Sequence, residues 1–313
     1  MQSKIITIDS NRVGQRIDNF LVLQLKGVPH SRIYRAVRKG EVRVNKKRVD
    51  ASYKLKENDQ VRIPPIRVSE AAIIPKPSAK LTELLKKSVI FENSDFMVIN
   101  KPAGLAVHGG SEIELGLVEA LRAIKLDWKS VELAHRLDRE TSGCLLLAKN
   151  RLVLLTLQDL FRTRDIEKIY LLLVDGDFSQ QEHVKTFLTK TDRGGEKIIS
   201  VSDDDSGKNA ETIFTPVSHS AQFSLLRAHL LTGRMHQIRV HAAHIGHPIV
   251  GDAKYGDKKI NQEVALKCGA KRLFLHAQTL SFTLGDKSFK FEALLDEDFL
   301  RDLKKLGVQL TDK

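Results

Sequence analysis

The sequence predicts an α+β protein, with a small basic domain at the N-terminus and a large domain built on a mixed, mostly antiparallel sheet. In the large domain, strand-like segments outnumber helical ones and do not alternate strictly with them, which argues against a doubly wound parallel sheet. The stretch 64–79 holds four prolines without hydrophobic periodicity and is predicted to be a semi-rigid linker. The predicted domains are therefore residues 1–63 and 80–313.

The first helix of the N-terminal domain is predicted to follow an alternating stretch at residues 4–9. Apolar side chains recur at helical spacing and fall on one helix face: Ile17, Phe20, Leu21 and Leu25. Gly27-Val28-Pro29 is expected to end this helix, because glycine and proline are poor helix residues. The spacing therefore predicts one amphipathic helix before residue 27.

A second helix and two strands complete the predicted N-terminal domain. Ser31 is expected to cap the helix and Gly40 to end it. Three of its side chains are expected to face inward: Ile33, Tyr34 and Val37. Alternation predicts strands at 41–45 and 59–63, with a tight turn at Asn45-Lys46-Lys47. Such a unit has a thin core.

Positive charge is concentrated in this N-terminal segment. Residues 1–70 hold 16 Lys or Arg and 7 Asp or Glu, so they carry +9 of the net +12, and the remaining residues carry +3. A local excess favours binding to a nucleic-acid backbone, since each neutralised phosphate releases counterions; a solubilising surface is the alternative. The candidate RNA-contacting residues are Arg32, Arg35, Arg38, Lys39, Arg43, Lys46 and Lys47.

The elements of the large domain are predicted from local pattern in chain order. Apolar runs and alternation predict strands at 89–91, 96–99, 145–147, 170–174, 211–217, 223–230 and 280–292. Helical spacing predicts helices at about 113–126 and 152–164. The polar stretch 192–208 is expected to be an exposed loop or hairpin.

The composition also excludes classes of protein. No apolar stretch is long enough to cross a membrane, and the N-terminus lacks a signal-peptide core. The two cysteines, Cys144 and Cys268, form no CxxC pair, which fits a reducing cytoplasm. The protein is therefore expected to be cytoplasmic and not membrane-bound.

A dense polar cluster, residues 134–143, precedes the predicted strand at 145–147. Placing so many charges beside a core is unfavourable unless they pair or take part in chemistry. Asp138 is flanked by Arg136 and Arg139, and nearby cations keep a carboxylate ionised, so that it is able to act as nucleophile or base. A surface turn with ordinary ion pairs explains the same residues equally well.

A second cluster, residues 232–252, contains four histidines at 236, 241, 244 and 247. They suggest a metal site, but no acidic or cysteine ligand lies among them and the HExxH arrangement is absent. The alternative is the N-terminal region of a helix whose Arg and His side chains bind phosphates. Arg239 is the most useful candidate, because a guanidinium is able to hold a carboxylate bidentately.

Tyr170, at the start of an apolar strand, is expected from its position alone to be a core residue. The stretch 100–110 is Gly-rich but lacks the GxxxxGK[ST] spacing of a nucleoside-triphosphate loop. Neither feature points to a function without further information.

Five segments in order resemble the pseudouridine synthases of the ribosomal large-subunit family, which share their fold with the dual-specificity rRNA and tRNA enzyme. The segments are His135-Arg136-Leu137-Asp138-Arg139-Glu140-Thr141-Ser142-Gly143, preceded by 100–104 and followed by 168–170, 232–241 and 273–277. Residues from about 14 to 63 resemble an S4 RNA-binding domain. The resemblance covers nearly the whole chain.

The resemblance implies an isomerase that acts on 23S rRNA as a monomer, without metal or cofactor. Asp138 is expected to be the catalytic aspartate, Arg239 its partner, and Tyr170 the neighbour of the target base that takes the proton from uracil carbon 5. Arg136 is expected to fill the place that the extruded base leaves in the RNA. The other implied substrate contacts are His135, Arg234, His236 and Leu275.

Two other functions remain open at this point. An RNA-binding assembly factor would use the basic segment 1–70 but would not need Asp138, Tyr170 and Arg239 together. A metal-dependent hydrolase would depend on the four histidines of the second cluster. For the synthase itself, attack on the sugar, attack on the base and removal of a ribose proton are all compatible with the sequence.

Overall fold

A computed structural model describes residues 3–25, 28, 30–65, 76–109, 115–193, 196–202 and 206–310. The chain forms two compact units, one of residues 1–76 with 150–152 and one of residues 77–149 with 153–313. Gly27, Pro29, most of the predicted linker and the first residues of the helix predicted at 113–126 lie outside the described residues.

The smaller unit is built from two helices and three strands among its described residues. The helices are α1 (Ile17–Gln24) and α2 (His30–Arg38). The strands β1 (Lys4–Thr7), β2 (Arg43–Val44) and β3 (Gln60–Ile63) form an antiparallel sheet in the order β1-β3-β2. Ile17, Phe20 and Leu21 of α1 are buried, as predicted, against Ile33 and Val37 of α2 in one core.

Two details of this unit differ from the prediction, and one agrees with it. α2 begins at His30, so Ser31 is inside the helix and not at the N-cap position. Tyr34 is 46% exposed and its hydroxyl donates to Asp18 Oδ2 at 2.9 Å, because Ile33 and Val37 occupy the inner face. The predicted turn is confirmed: Asn45 and Lys46 adopt left-handed φ values of 49° and 66°, as a two-residue hairpin turn requires.

The larger unit holds one mixed sheet of eleven strands among the described residues. Its central order is β10-β9-β11-β12-β8-β13-β7-β5-β4, with β14 paired to β13 and β6 to β7. The strands are β4 (Val89–Glu92), β5 (Phe96–Lys101), β6 (Glu132–Leu133), β7 (Ser142–Ala148), β8 (Ile166–Asp175), β9 (Glu182–Arg193), β10 (Glu196–Ser202), β11 (Lys208–His219), β12 (Phe223–Leu230), β13 (Leu275–Leu284) and β14 (Lys287–Glu292).

Only the pairing of β7 with β13 is parallel among these described strands, so the sheet is mostly antiparallel, as predicted. The parallel contact is close: Gly143 has φ 113°, and a Cβ there would lie 2.2 Å from Ala277 O. Along β8, Tyr170 and Leu172 belong to one core while Leu171 and Leu173 belong to another. Both faces of the sheet are therefore covered, which explains why β8 reads as an unbroken apolar run.

The helices of this unit pack on the two faces of the sheet, and some bounds differ from the prediction. They are α3 (Ala79–Lys87), α4 (Leu117–Ile124), α5 (Arg151–Thr163), α6 (Gln237–His244), α7 (Lys258–Cys268) and α8 (Glu297–Lys305). α4 begins only after the extended Gly116. The described residues of 192–208 belong mainly to the end of β9, to β10, which pairs antiparallel with β9, and to the start of β11, so the predicted hairpin has longer strands than expected. None of the described helices combines the length and apolarity that crossing a bilayer requires.

Candidate active site

A cavity of about 470 Å³ opens in the larger unit. Four separate stretches line it: 135–141, 161–170, 230–239 and Leu275. It gathers all the catalytic and substrate-binding residues predicted from the sequence: His135, Arg136, Asp138, Tyr170, Arg234, His236, Arg239 and Leu275. Residues that are more than 100 positions apart in the chain therefore face one space.

Asp138 lies in the connection between β6 and β7, with its side chain 21% exposed. Thr141 N–H donates to Asp138 O at 3.2 Å and closes a turn. The fully buried Lys101 supports this turn, because its Nζ donates to Arg139 O at 2.9 Å as well as to Pro102 O and Leu105 O. Burial lowers the pKa of Lys101 to about 7, while Glu140 and Asp138 favour its charged form.

Arg239, on α6, connects Asp138 to a second carboxylate. Its Nη1 donates to Asp138 Oδ2 at 3.2 Å, and its Nε and Nη2 hold both oxygens of Asp252 at 2.7 and 2.8 Å. Burial raises the pKa of Asp252, but the hydrogen bonds and charge of Arg239, together with the backbone N–H groups of Tyr255 and Lys254, outweigh it and keep that pKa below its usual range. Asp252 thus fixes the guanidinium so that its remaining edge faces Asp138.

His236 precedes α6 in a left-handed conformation, with φ 55°. Its Nδ1 lies 2.9 Å from Tyr255 Oη, which accepts a hydrogen bond from Ile199 N–H, and its Nε2 lies 3.7 Å from Asp138 Oδ2. Burial lowers the pKa of His236, although the Asp138 charge opposes this. The ring therefore lies near Oδ2 of Asp138, the same oxygen that Arg239 contacts.

A buried amide network shapes the turn before α6. Gln237 Oε1 accepts from Thr232 Oγ1 and Arg234 N–H, at 2.7 and 3.0 Å. Its Nε2 donates to Glu211 O and Thr212 Oγ1, each at 2.9 Å. All four hydrogen bonds of one side chain are made to the turn and to β11, so the position of Arg239 follows from the sheet.

Tyr170 and Leu275 form the apolar walls of the cavity, and both are nearly buried. Burial and then the charge of Asp138 raise the pKa of the Tyr170 phenol. The phenol is therefore protonated at neutral pH. It is able to accept a further proton only if its own proton moves to a neighbouring group.

The remaining predicted contacts also line the cavity. His135 stacks on Phe161 with ring centroids 4.5 Å apart, and its Nε2 accepts from Leu146 N–H at 3.0 Å. Burial and the charge of Lys168 lower the pKa of His135 to about 3, so the ring is neutral. Arg136 is exposed, and Arg234 Nε donates to Asn209 O at 3.0 Å.

The histidines of the second cluster have separate structural tasks. The buried His241 places its two ring nitrogens 3.0 Å from Thr186 Oγ1 and 3.0 Å from Thr212 Oγ1. His247 Nδ1 donates to Asp175 O at 2.9 Å. Across the described parts of the chain, no group of His, Cys, Asp or Glu side chains is arranged to hold a metal ion. The metal-dependent hydrolase gains no support from this geometry.

Three supporting residues were not identified as site residues from the sequence. Asp252 is the last residue of the second cluster, Tyr255 follows three positions later, and Lys101 lies in the stretch Asn100-Lys101-Pro102-Ala103-Gly104. The usable signal for Lys101 was its place in 100–104, one of the five segments that carry the family resemblance. The contact of Asp252 with Arg239 depends on how the chain turns after α6 and left no local pattern.

Comparison with known proteins gives this cavity a context. The family described as RNA pseudouridylate synthase matches residues 95–244, and the S4 domain matches residues 15–61. The chain is 46% identical to ribosomal large subunit pseudouridine synthase C of Salmonella typhi, over 97% of this chain and 96% of that protein. The chain belongs to the RNA pseudouridylate synthase family. The protein of the same name from Pasteurella multocida is 48% identical over 98% of this chain and 94% of that protein.

A solved structure of a family member supports the same assignment. Human RNA pseudouridylate synthase domain containing 4 superposes with a TM-score of 0.63 at 25% identity, over 74% of this chain and 98% of that chain. The resemblance inferred from the five segments, the S4 domain and the α+β fold class are thereby confirmed. The family match spans Asp138, Tyr170 and Arg239.

Proposed function

We propose that this synthase converts uridines to pseudouridines in 23S rRNA, with Asp138 as the catalytic carboxylate. One observation carries the proposal: in a family of RNA pseudouridylate synthases, Asp138 Oδ2 lies 3.2 Å from Arg239 Nη1 inside a cavity that Tyr170 and Leu275 also line. The relatives are named for the large ribosomal subunit, which supports its RNA as the substrate.

The reaction is an isomerisation, so the cavity supplies groups without consuming them. The bond from ribose carbon 1 to uracil nitrogen 1 breaks, the base turns, a bond from carbon 1 to carbon 5 forms, and carbon 5 loses a proton while nitrogen 1 gains one. Asp138 is the carboxylate at the reacting centre. Arg239 orients it, since Asp252 fixes the guanidinium on its other edge.

The cavity walls hold the detached uracil. Leu275 and Tyr170 provide apolar surface. Because the phenol of Tyr170 is protonated, it is able to accept the proton from carbon 5 only if it donates its own proton to another group. The target must leave its stack first, which costs a few kcal/mol. The exposed Arg136 in the cavity lining is the side chain that we propose fills the gap, and His135, Arg234 and His236 complete the contacts around the nucleotide.

RNA affinity is supplied in part by the N-terminal domain. We propose that it comprises residues 1–63, followed by a linker at 64–79 and the catalytic domain at 80–313. Its RNA-contacting residues are Arg32, Arg35, Arg38, Lys39, Arg43, Lys46 and Lys47. We propose that the protein acts as a monomer in the cytoplasm; the free buried cysteines support the cytoplasmic location.

The test is chemical mapping of pseudouridine in 23S rRNA transcribed in vitro, after incubation with the protein or with Asp138→Asn. The wild-type protein is expected to form pseudouridine at discrete positions. Asp138→Asn keeps the size of the side chain but removes its charge, and is expected to lower turnover on the order of 10⁴-fold with RNA binding retained. Full turnover by the variant would refute the role of Asp138. A wild-type protein that binds rRNA but forms no product would instead favour the assembly factor.

A further inference from the structure

Lys168 is a buried cation without a counterion. It is 7% exposed and lies on β8, and it lines the cavity. Within the described part of the chain, its ammonium makes neither a hydrogen bond nor an ion pair. Burial and the positive charge of Arg164 both lower the pKa of Lys168, so its surroundings oppose the charge that it carries.

Three other cations of this unit with little exposed surface are paired. Lys101 donates to three carbonyl oxygens, and Lys149 donates to Glu92 at 2.8 Å and to Asn93 O at 2.9 Å. Arg239 is paired with two carboxylates. Unpaired buried charge is strongly unfavourable. Lys168 differs from these three cations because it has no partner, and a bound anion would supply one.

A second cation stands beside Lys168. Arg164 follows α5, is exposed, and lines both this cavity and the groove next to it. It has φ 72°, in the left-handed region that glycine adopts most readily, and Asp165 N–H donates to Leu160 O at 2.9 Å as at a Schellman helix end. Within the described ranges Arg164 makes neither a hydrogen bond nor an ion pair, although its charge adds, after those of Lys185 and His183, to the lowering of the Glu211 pKa.

The position of Lys168 separates it from the reacting centre. Lys168 and Tyr170 project from the same face of β8, because side chains two positions apart on a strand share a face. They are offset by about 7 Å along the strand. Asp138 does not contribute to the pKa shift of Lys168, whereas it raises that of Tyr170. A nucleotide matches this spacing: its neutral base would lie at Tyr170, and the negative charge next to its sugar would lie at Lys168.

We propose that Lys168 and Arg164 form an anion subsite in the cavity wall, which binds a phosphodiester of the RNA strand next to the extruded nucleotide. This inference rests on the proposed function, because it takes RNA as the ligand. Two adjacent cations bind an anionic oxygen more strongly than they bind a neutral carbonyl oxygen. The neutral His135 beside Lys168 adds no competing charge.

The first test uses Lys168→Met, which keeps the apolar stem and removes the charge, and Arg164→Gly, which also relieves the left-handed backbone. Each is expected to weaken binding of the rRNA about tenfold and to reduce the slope of log Kd against log salt by about 0.7. Thermal unfolding is expected at an unchanged or higher temperature for both, whereas Lys101→Met, the satisfied lysine, is expected to unfold at a lower one. Unchanged affinity and salt slope in both variants would refute the subsite.

The second test asks which phosphate is bound. An rRNA fragment containing a mapped target uridine is made with one neutral methylphosphonate on either side of that uridine. One substitution is expected to weaken binding to the wild-type protein about tenfold and to leave binding to Lys168→Met unchanged. Equal losses in both proteins at both positions would refute the contact. Pseudouridine formation by the wild-type protein on the unmodified fragment is measured in parallel, so that a failed subsite and a failed function give different results.

Discussion

The cations of the N-terminal domain and those of the cavity differ in their exposure and in their partners. Arg35, Arg38 and Lys39 are exposed and have no ion pair among the described residues. Arg239 is 11% exposed and bound to two carboxylates. Exposed cations attract phosphates through an electrostatic field that salt screens, and any Lys or Arg in the right place is able to supply the charge. A buried bidentate pair depends on the shape of the guanidinium, which lysine lacks. We therefore expect the exposed cations to contribute to RNA affinity in roughly additive steps, and the buried Arg239 to contribute to catalysis through its exact geometry.

The strongest test of this contrast is Asp252→Asn, which removes the charge that fixes Arg239. Turnover is expected to fall about 10²-fold to 10³-fold, and the free energy of unfolding to fall by about 3 kcal/mol, because a buried guanidinium loses its partner. The matched control is Asp298→Asn in the exposed pair with Arg301, for which single-turnover rate and melting temperature should stay the same. Equal effects of the two substitutions would remove the distinction between buried and exposed pairs.

Acid should destabilise the larger unit through its buried histidines. Burial lowers the pKa of His135 to about 3 and those of His241 and His276 to about 4. Below pH about 6.5 the unfolded chain binds protons that the folded chain refuses, so stability is lost as the pH falls toward 4. Each histidine contributes up to about 1.4 kcal/mol per pH unit.

Urea unfolding at several pH values, followed by the fluorescence of the buried Trp128, measures this slope. His276→Gln is expected to make the slope shallower even if it lowers stability at pH 7. A stability that does not change between pH 6.5 and 4.5 would contradict the assignment of these histidines as neutral in the folded protein.

Lys101→Met tests whether a satisfied buried lysine supports the turn that carries Asp138. The substitution leaves three carbonyl oxygens without their donor, and is expected to lower the free energy of unfolding by about 2 kcal/mol. Turnover should fall more than RNA binding, because Arg139 O loses its anchor next to Asp138. Lys86→Met, in an exposed pair with Glu83, is the control. A loss of binding without a loss of turnover would be inconsistent with this role.

The smallest effect is expected for Arg35→Ala combined with Arg38→Ala. Both side chains are exposed, so stability should not change measurably, while the slope of log Kd against log salt should fall by about 0.7 for each lost phosphate contact. Turnover at saturating rRNA should equal that of the wild type. Lys258→Ala with Lys259→Ala, on α7 of the larger unit, is the control. If both pairs changed the salt slope equally, the N-terminal domain would have no special part in binding.

Much of the fold could be predicted because strand and helix patterns are local. The alternation and apolar runs of β5, β7, β8 and β12 and the helical spacing of α1 and α5 were all visible in the sequence. β9 was missed, because Val184 and Leu188 are its buried apolar residues and much of its surface is polar. Tyr34 was assigned to the wrong face of α2, since a tyrosine is equally compatible with a core and with a hydroxyl bonded to Asp18.

The sequence by itself determined the family resemblance, the basic N-terminal domain and the residues that line the cavity, because these depend on residue types in short stretches. Only the tertiary structure decided which charges are paired. Asp138 and Arg239 are 101 positions apart, and Asp252 meets Arg239 because the chain turns back after α6. The tertiary structure also decided the surroundings of Lys168 and Lys101, which are the same residue type and are both buried. Lys101 is surrounded by carbonyl oxygens, whereas Lys168 lies near a second cation, Arg164. This difference depends on which parts of the chain become neighbours in the fold.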